Sequence, residues 1–281
     1  MKSNTLPCID LHIHSYFSDG DLSPTKIVEK AAKLELKAIA ITDHDNVEGI
    51  AEGIGAAKEH RIEFVPGIEL SSVYREMDVH ILGYHINTNH PGLLKKIILL
   101  KEARRDRAKK IVQKLNGLGL DLKFETVLEM AGHGAIGRPH IANAMVKEEL
   151  VYSAKEAFDK YLGYKSSAYV DKMDLSLSEA CALIRQASGI PVLAHPAAYR
   201  DLLKFIDEMI TNGIQGIEAI HSLHSNEDIK YFLELGKKKG LLLTGGSDCH
   251  GHRKDNPLMG QVRVPYEFLE GLNHFRGQTR P

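Results

Sequence analysis

Apolar residues along the chain gather into short runs separated by amphipathic stretches, and run after run stops on a histidine or a carboxylate. Ile9 to His14, Ala38 to Thr42, Glu63 to Ile68 and Val79 to Tyr84 have the length and β-branched content of strands. Alternate side chains of a strand share a face, so Asp10, His12 and His14 are expected on one side and Leu11 and Ile13 on the other. Helices are predicted between the runs. Ser23 before Pro24 reads as an N-cap with proline in the first turn, followed by the stripe Ile27, Val28, Ala31, Ala32 and Leu34. Asn46 is expected to cap a second helix through Ile50, Ile54 and Ala57. The alternation returns after Val170, with a helix over 178–187 and apolar runs at 190–196, 216–221 and 241–250. Strands alternating with short helices predict parallel βα units of the α/β class, whose chemistry gathers at the C-terminal ends of the strands.

Between residues 91 and 164 the strand pattern stops and helix follows helix, which predicts an inserted all-helical subdomain serving as a lid or substrate-binding unit. Residues 1–90 and 165–281 would then form one discontinuous domain. The first inserted helix, Leu93 to Leu115, is rich in Lys and Arg from Lys95 to Lys114 against only Glu102 and Asp106. It reads either as a solvated face or as a positive rim for phosphorylated substrates or short single-stranded nucleic acid. In Gly137-Arg138-Pro139-His140 the proline favours a helix start, placing Arg138 where free N–H groups and a guanidinium fork suit a phosphate.

A length of 281 residues fits one large α/β barrel or a core domain with an insertion. A net charge of -1 announces no nucleic-acid partner by itself. The 3 cysteines, Cys8, Cys181 and Cys249, lack CxxC spacing, which argues against a disulfide framework and fits a reducing cytoplasm. No apolar run has membrane-spanning length, and no membrane partner is expected.

The 15 histidines change the picture through their placement. The donors at strand ends are His12, His14, Asp19, His44, Glu69, His80, His195, Asp248 and His250. They exceed the needs of one ion; at about four to six ligands per metal, some of them water or bridging carboxylate, they suit two or three divalent ions such as manganese, iron or zinc.

In combination, Asp10-Leu11-His12-Ile13-His14-Ser15, Ser18-Asp19-Gly20, Thr42-Asp43-His44-Asp45, Gly67-Ile68-Glu69, Val79-His80-Ile81-Leu82-Gly83, Ala194-His195-Pro196 and Gly246-Ser247-Asp248-Cys249-His250 resemble the PHP (polymerase and histidinol phosphatase) superfamily. The resemblance implies a distorted seven-stranded (β/α)7 barrel with a trinuclear metal centre. One metal would fall to His12, His14, Glu69 and Asp248, with Glu69 bridging to a second at His80 and His195, and a third at Asp19, His44 and His250. Asp19, the helical insertion and Gly137 to His140 resemble the branch of small phosphoesterases that includes a 3′,5′-nucleoside bisphosphate phosphatase and a 5′-trimming RNase. Ser15 and Asn46 stand where that branch more often has threonine, and neither is a ligand. The expected activity is hydrolysis of a phosphomonoester of a small nucleotide, of 3′,5′-bisphosphate or mononucleotide type, by a metal-bound hydroxide. Arg138 would orient the substrate phosphate, and His221 or His224, unless they are ordinary supporting histidines, would protonate the leaving alkoxide. The alternatives are a 5′-3′ exonuclease on short RNA or DNA, a histidinol-phosphate-type phosphatase, and a non-catalytic metal-binding module.

Overall fold

The computed structural model describes residues 8–132, 134, 136–171, 175–252 and 258–279. Its strands are β1 (Cys8–Asp10), β2 (Ala38–Ile41), β3 (Glu63–Tyr74), β4 (Met77–Tyr84), β5 (Ile190–Leu193), β6 (Gly216–His221), β7 (Leu242–Gly246) and β8 (Val264–Pro265). They form one eight-stranded sheet in the order β7-β6-β5-β4-β3-β2-β1-β8. Beyond β1, Leu11 donates its N–H to Gly245 O in β7 at 3.1 Å, so the sheet curls into a nearly closed barrel.

The neighbours β1/β2, β2/β3, β5/β6 and β6/β7 are parallel. The all-parallel expectation fails at β4, which runs antiparallel to both β3 and β5. The cause is local: Arg75 and Glu76, at φ 51 and 64, turn the chain straight back, whereas a parallel neighbour needs a crossover. The seven-strand expectation is exceeded by β8, two residues antiparallel to β1 and too short to show alternation.

The helices are α1 (Pro24–Lys33), α2 (Ile50–His60), α3 (Pro91–Gly117), α4 (Phe124–Ala131), α5 (Arg138–Lys147), α6 (Ala154–Ala157), α7 (Leu177–Gln186), α8 (Ile206–Thr211), α9 (Asn226–Lys239) and α10 (Glu267–Thr279). Ser23 caps α1 as the sequence suggests, its hydroxyl accepting the Lys26 N–H at 3.2 Å. Asn46 does not cap α2, whose N-cap is Gly49. Its side chain instead accepts the Glu48 N–H at 2.8 Å and donates to Phe17 O at 2.7 Å, a local turn that outcompetes helix entry. Leu269 and Leu272 of α10 pack with Ile9, Leu11, Ala38, Val65 and Val192 in the core.

The chain divides into two compact units, Met1–Leu94 with Asp174–Pro281, and Lys95–Met173. The second is all-helical among its described residues, with Leu115, Val127, Ile141, Met145 and Leu162 at its centre. Among the described residues no helix is long and apolar enough to cross a membrane.

Candidate metal centre

β1 ends at Asp10, whose carboxylate Oδ1 accepts the backbone N–H of Ser247 at 2.9 Å and of His12 at 3.4 Å. His12 and His14 converge, Nε2 to Nε2 at 3.1 Å. Asp43, just past β2, organises the next turn: its carboxylate accepts the Ser15 N–H (2.7 Å) and the hydroxyls of Ser15 (2.6 Å) and Ser18 (2.5 Å). The turn is close enough that a Cβ at Gly20 would lie 2.4 Å from His14 O, so the glycine beside Asp19 is required by contact.

Glu69, in β3, is the hub. Its Oε2 lies 3.3 Å from His12 Nε2, 3.1 Å from His14 Nε2 and 3.1 Å from His44 Nδ1; its Oε1 lies 2.9 Å from His80 Nδ1 and 3.1 Å from His195 Nε2. Asp248 Oδ1 is 3.0 Å from His14 Nε2, and Asp19 Oδ1 is 3.2 Å from His250 Nε2. Three sets of these donors lie within 4.8 Å: His12, His14, Glu69 and Asp248; His14, Asp19, His44 and His250; His44, Glu69 and His80.

The donor set fits divalent cations on its own geometry. His44 Nδ1 and His80 Nδ1, though beside Glu69, and Asp19 Oδ1 are buried and make no hydrogen bond. Atoms this close but not aimed at one another leave lone pairs facing a shared space, which cations satisfy.

Electrostatics agree. Burial opposes the imidazolium of His12, but Glu218, Asp248 and Glu69 outweigh it and hold the group well above the usual range. Against the same burial penalty, hydrogen bonds to Asp248 and Glu69 push His14 up to about 10. Glu69 and Asp248, despite their own burial, are held well below the usual carboxylate range by the surrounding histidines. His44 goes the other way, to about 4, chiefly by burial.

The remaining expected site residues are placed as follows. His221 is buried, its Nδ1 accepting the Leu223 N–H at 3.1 Å and its Nε2 3.6 Å from Asp248 Oδ2. His224 lies beside it, ring centroids 5.2 Å apart, with Nδ1 donating to Ala219 O at 3.1 Å. Arg138 belongs to the helical unit, where it opens α5, donates to Leu162 O at 3.2 Å and lies over the Phe158 ring. Sequence reasoning missed Glu218, which is fully buried and pairs with His12 Nδ1 at 3.0 Å. The signal was present: Gly216-Ile217-Glu218 repeats the tripeptide Gly67-Ile68-Glu69, a carboxylate inside an apolar run.

The PHP domain family matches residues 10–218. A 3′,5′-nucleoside bisphosphate phosphatase of Chromobacterium violaceum is 33% identical over 263 residues, 89% of this chain and 92% of that protein. A 5′-3′ exoribonuclease of Haemophilus influenzae is 32% identical, over 86% and 89% of the two chains. A solved structure from Bifidobacterium adolescentis, described as a metal-dependent phosphoesterase, superposes with a TM-score of 0.84 at 31% identity over 95% of each chain. With this match along most of its length, and with relatives named a bisphosphate phosphatase and an exoribonuclease, the chain belongs to the PHP domain family and is a metal-dependent hydrolase of phosphate ester bonds.

Proposed function

We propose that the chain hydrolyses a phosphomonoester of a small nucleotide, of 3′,5′-bisphosphate or mononucleotide type. The observation that carries this reading is the convergence of five imidazoles on the single carboxylate of Glu69, at 2.9 to 3.3 Å. A carboxylate so surrounded suits the bridge of a multinuclear site, and the similarity to the bisphosphate phosphatase supports the nucleotide class. In this reading His12, His14, Glu69 and Asp248 hold one ion, Glu69, His80 and His195 a second, and Asp19, His44 and His250 a third. Manganese, iron or zinc held there supplies Lewis-acid charge for the phosphoryl oxygens and an acidified water.

The protein's own groups bind the substrate and move the proton. Leu223 N–H occupies His221 Nδ1 and leaves Nε2 as the nitrogen toward the site; in the imidazolium form, with the Leu223 bond released, Nε2 delivers its proton to the leaving alkoxide and neutral imidazole remains. Burial lowers His224 to about 4, so near pH 7 it is not the imidazolium such a step needs, and its ring packs beside that of His221. Arg138 binds a substrate phosphate with the guanidinium N–H groups not given to Leu162.

The Haemophilus relative favours a second reading, 5′-3′ exonuclease on short RNA or DNA. Phosphate release from adenosine 3′,5′-bisphosphate, AMP, histidinol phosphate and a short 5′-phosphorylated RNA separates the two. Fast release from the bisphosphate, reduced more than about 100-fold by Asp248→Asn, is expected, since loss of a direct ligand should exceed the effect of losing an outer partner. Mononucleotides from the RNA, with no phosphate from the small esters, would establish the exonuclease.

A further inference from the structure

Glu218 lies in β6, fully buried, and both of its oxygens are used by residues just beyond the ends of two other strands, β1 and β5. Oε1 is 3.0 Å from His12 Nδ1, and Oε2 accepts the backbone N–H of His195 at 2.7 Å. A buried carboxylate is tolerated only with such partners. We propose that Glu218 is a positioning residue for the metal centre, setting the tautomer of His12 and the backbone of His195 together. The inference rests on the reading that these two histidines hold ions.

Two separate features meet at this carboxylate. A neutral imidazole has one N–H, and an Nδ1–H given to Glu218 leaves the Nε2 lone pair toward Glu69, Asp248 and His14, at 3.3, 3.3 and 3.1 Å. His195 adopts φ 26 and ψ 58, a conformation rare for a residue with a Cβ, costing roughly 1–3 kcal/mol unless its surroundings enforce it. The bond from His195 N–H to Glu218 supplies that enforcement, while His195 Nε2 stays 3.1 Å from Glu69 Oε1. Glu218 also lies within 4.8 Å of His221, in a group able to hold an ion, but both oxygens already accept hydrogen bonds, so it grips ligands here and is not one.

The chemistry makes Glu218→Gln a sharp substitution. A carboxylate accepts twice, whereas an amide accepts once and donates once. If the amide oxygen keeps the His195 N–H, the NH2 faces His12 Nδ1, and His12 must move its proton to Nε2, blocking the lone pair a metal needs. If the amide flips, its NH2 opposes the His195 N–H. Either arrangement breaks one link.

The test uses the full chain, stripped of metal and reloaded with zinc. Glu218→Gln is expected to keep the parent's circular dichroism and to bind zinc about 10- to 100-fold more weakly in chelator competition. Undiminished zinc affinity in a folded variant overturns the inference. Nitrogen-15 NMR of the zinc-loaded parent decides the matter even if the variant fails to fold: the His12 proton on Nδ1 supports the inference, and on Nε2 overturns it. A parent that takes up no zinc, manganese or iron overturns the ligand reading and this inference with it, whereas normal uptake by both proteins overturns this inference alone.

Discussion

Asp43 shapes the candidate metal centre without lying among the donors around Glu69. Three groups donate to its buried carboxylate, and together they form the turn that presents Asp19. Asp43→Ala leaves the Ser15 N–H without its acceptor and frees two hydroxyls, with an expected loss of about 3 kcal/mol in urea unfolding. Asp43→Asn, which keeps one acceptor, is expected to lose less; equal losses would locate the effect in packing. His224 gives the pH dependence at this scale. Burial lowers it from 6.5 to about 4, so as pH falls the unfolded chain takes up a proton before the folded chain does. Its contribution is complete above 6.5 and is lost as pH drops through 4. His224→Asn keeps a donor for Ala219 O and cannot titrate. Its stability is therefore expected to fall less between pH 6.5 and 4, by up to about 3 kcal/mol, in parallel denaturation series. Superimposable curves would show that His224 is protonated when folded. The contrast between Glu69 and Glu218 shows which residues the sequence makes legible. Both are carboxylates in apolar runs, but Glu69 falls in a chain of strand-end motifs, whereas the partners of Glu218 lie 206 and 23 residues away. No spacing rule reaches so far. Asp43 was hidden in the same way, its partners being hydroxyls and a backbone N–H 25 and 28 residues away.

Strands and helices were legible where local chemistry decides them, as at Ser23-Pro24, and illegible where it competes, as at Asn46, whose side chain closes a turn before α2 begins. The β3–β4 hairpin was hidden because its turn residues, Arg75 and Glu76, carry no glycine or asparagine although both stand at positive φ. That mismatch is correctable. Glu76→Gly removes the left-handed penalty of about 1–2 kcal/mol at the cost of some backbone entropy, so a net gain of about 0.5–1 kcal/mol is expected in thermal unfolding. A loss would mean that the Glu76 side chain contributes more than its strain. At the other end of the sheet, β7 passes against the start of the candidate site: a Cβ at Gly246 would lie 2.4 Å from both His12 N and His12 Cβ. Neither can move without opening the barrel, so Gly246→Ala is expected to cost at least about 3 kcal/mol and to lower metal content together with stability. Full metal content in a destabilised variant would separate closure from the site.

For the whole molecule, the sequence carried the α/β class and named the side chains that converge around Glu69. Which strand lies beside which followed from neither, because pairing depends on turns and on contacts such as Leu11 N–H to Gly245 O, 234 residues apart. Gathering these donors into one place has a cost that only the assembled chain meets. His12 and His14 are held above their ordinary range, His12 by Glu218, Asp248 and Glu69 and His14, to about 10, by Asp248 and Glu69, so these carboxylates favour bound protons in the metal-free protein. Ligation needs neutral imidazole, so each ion must displace protons from the carboxylate–histidine network. Three outcomes are therefore expected together. Loading the stripped protein with zinc or manganese should acidify a weakly buffered solution, and apparent affinity should rise with pH across the neutral range. Saturating metal should also raise the thermal midpoint, with about 4 kcal/mol of added stability at a thousandfold excess over the dissociation constant. Proton release is measured by titration calorimetry in buffers of different ionisation enthalpy. Binding without proton release would mean that His12 and His14 are already neutral, and that burial overcomes their carboxylate partners. Binding without added stability would mean that the ions sit on the surface and not among the donors around Glu69.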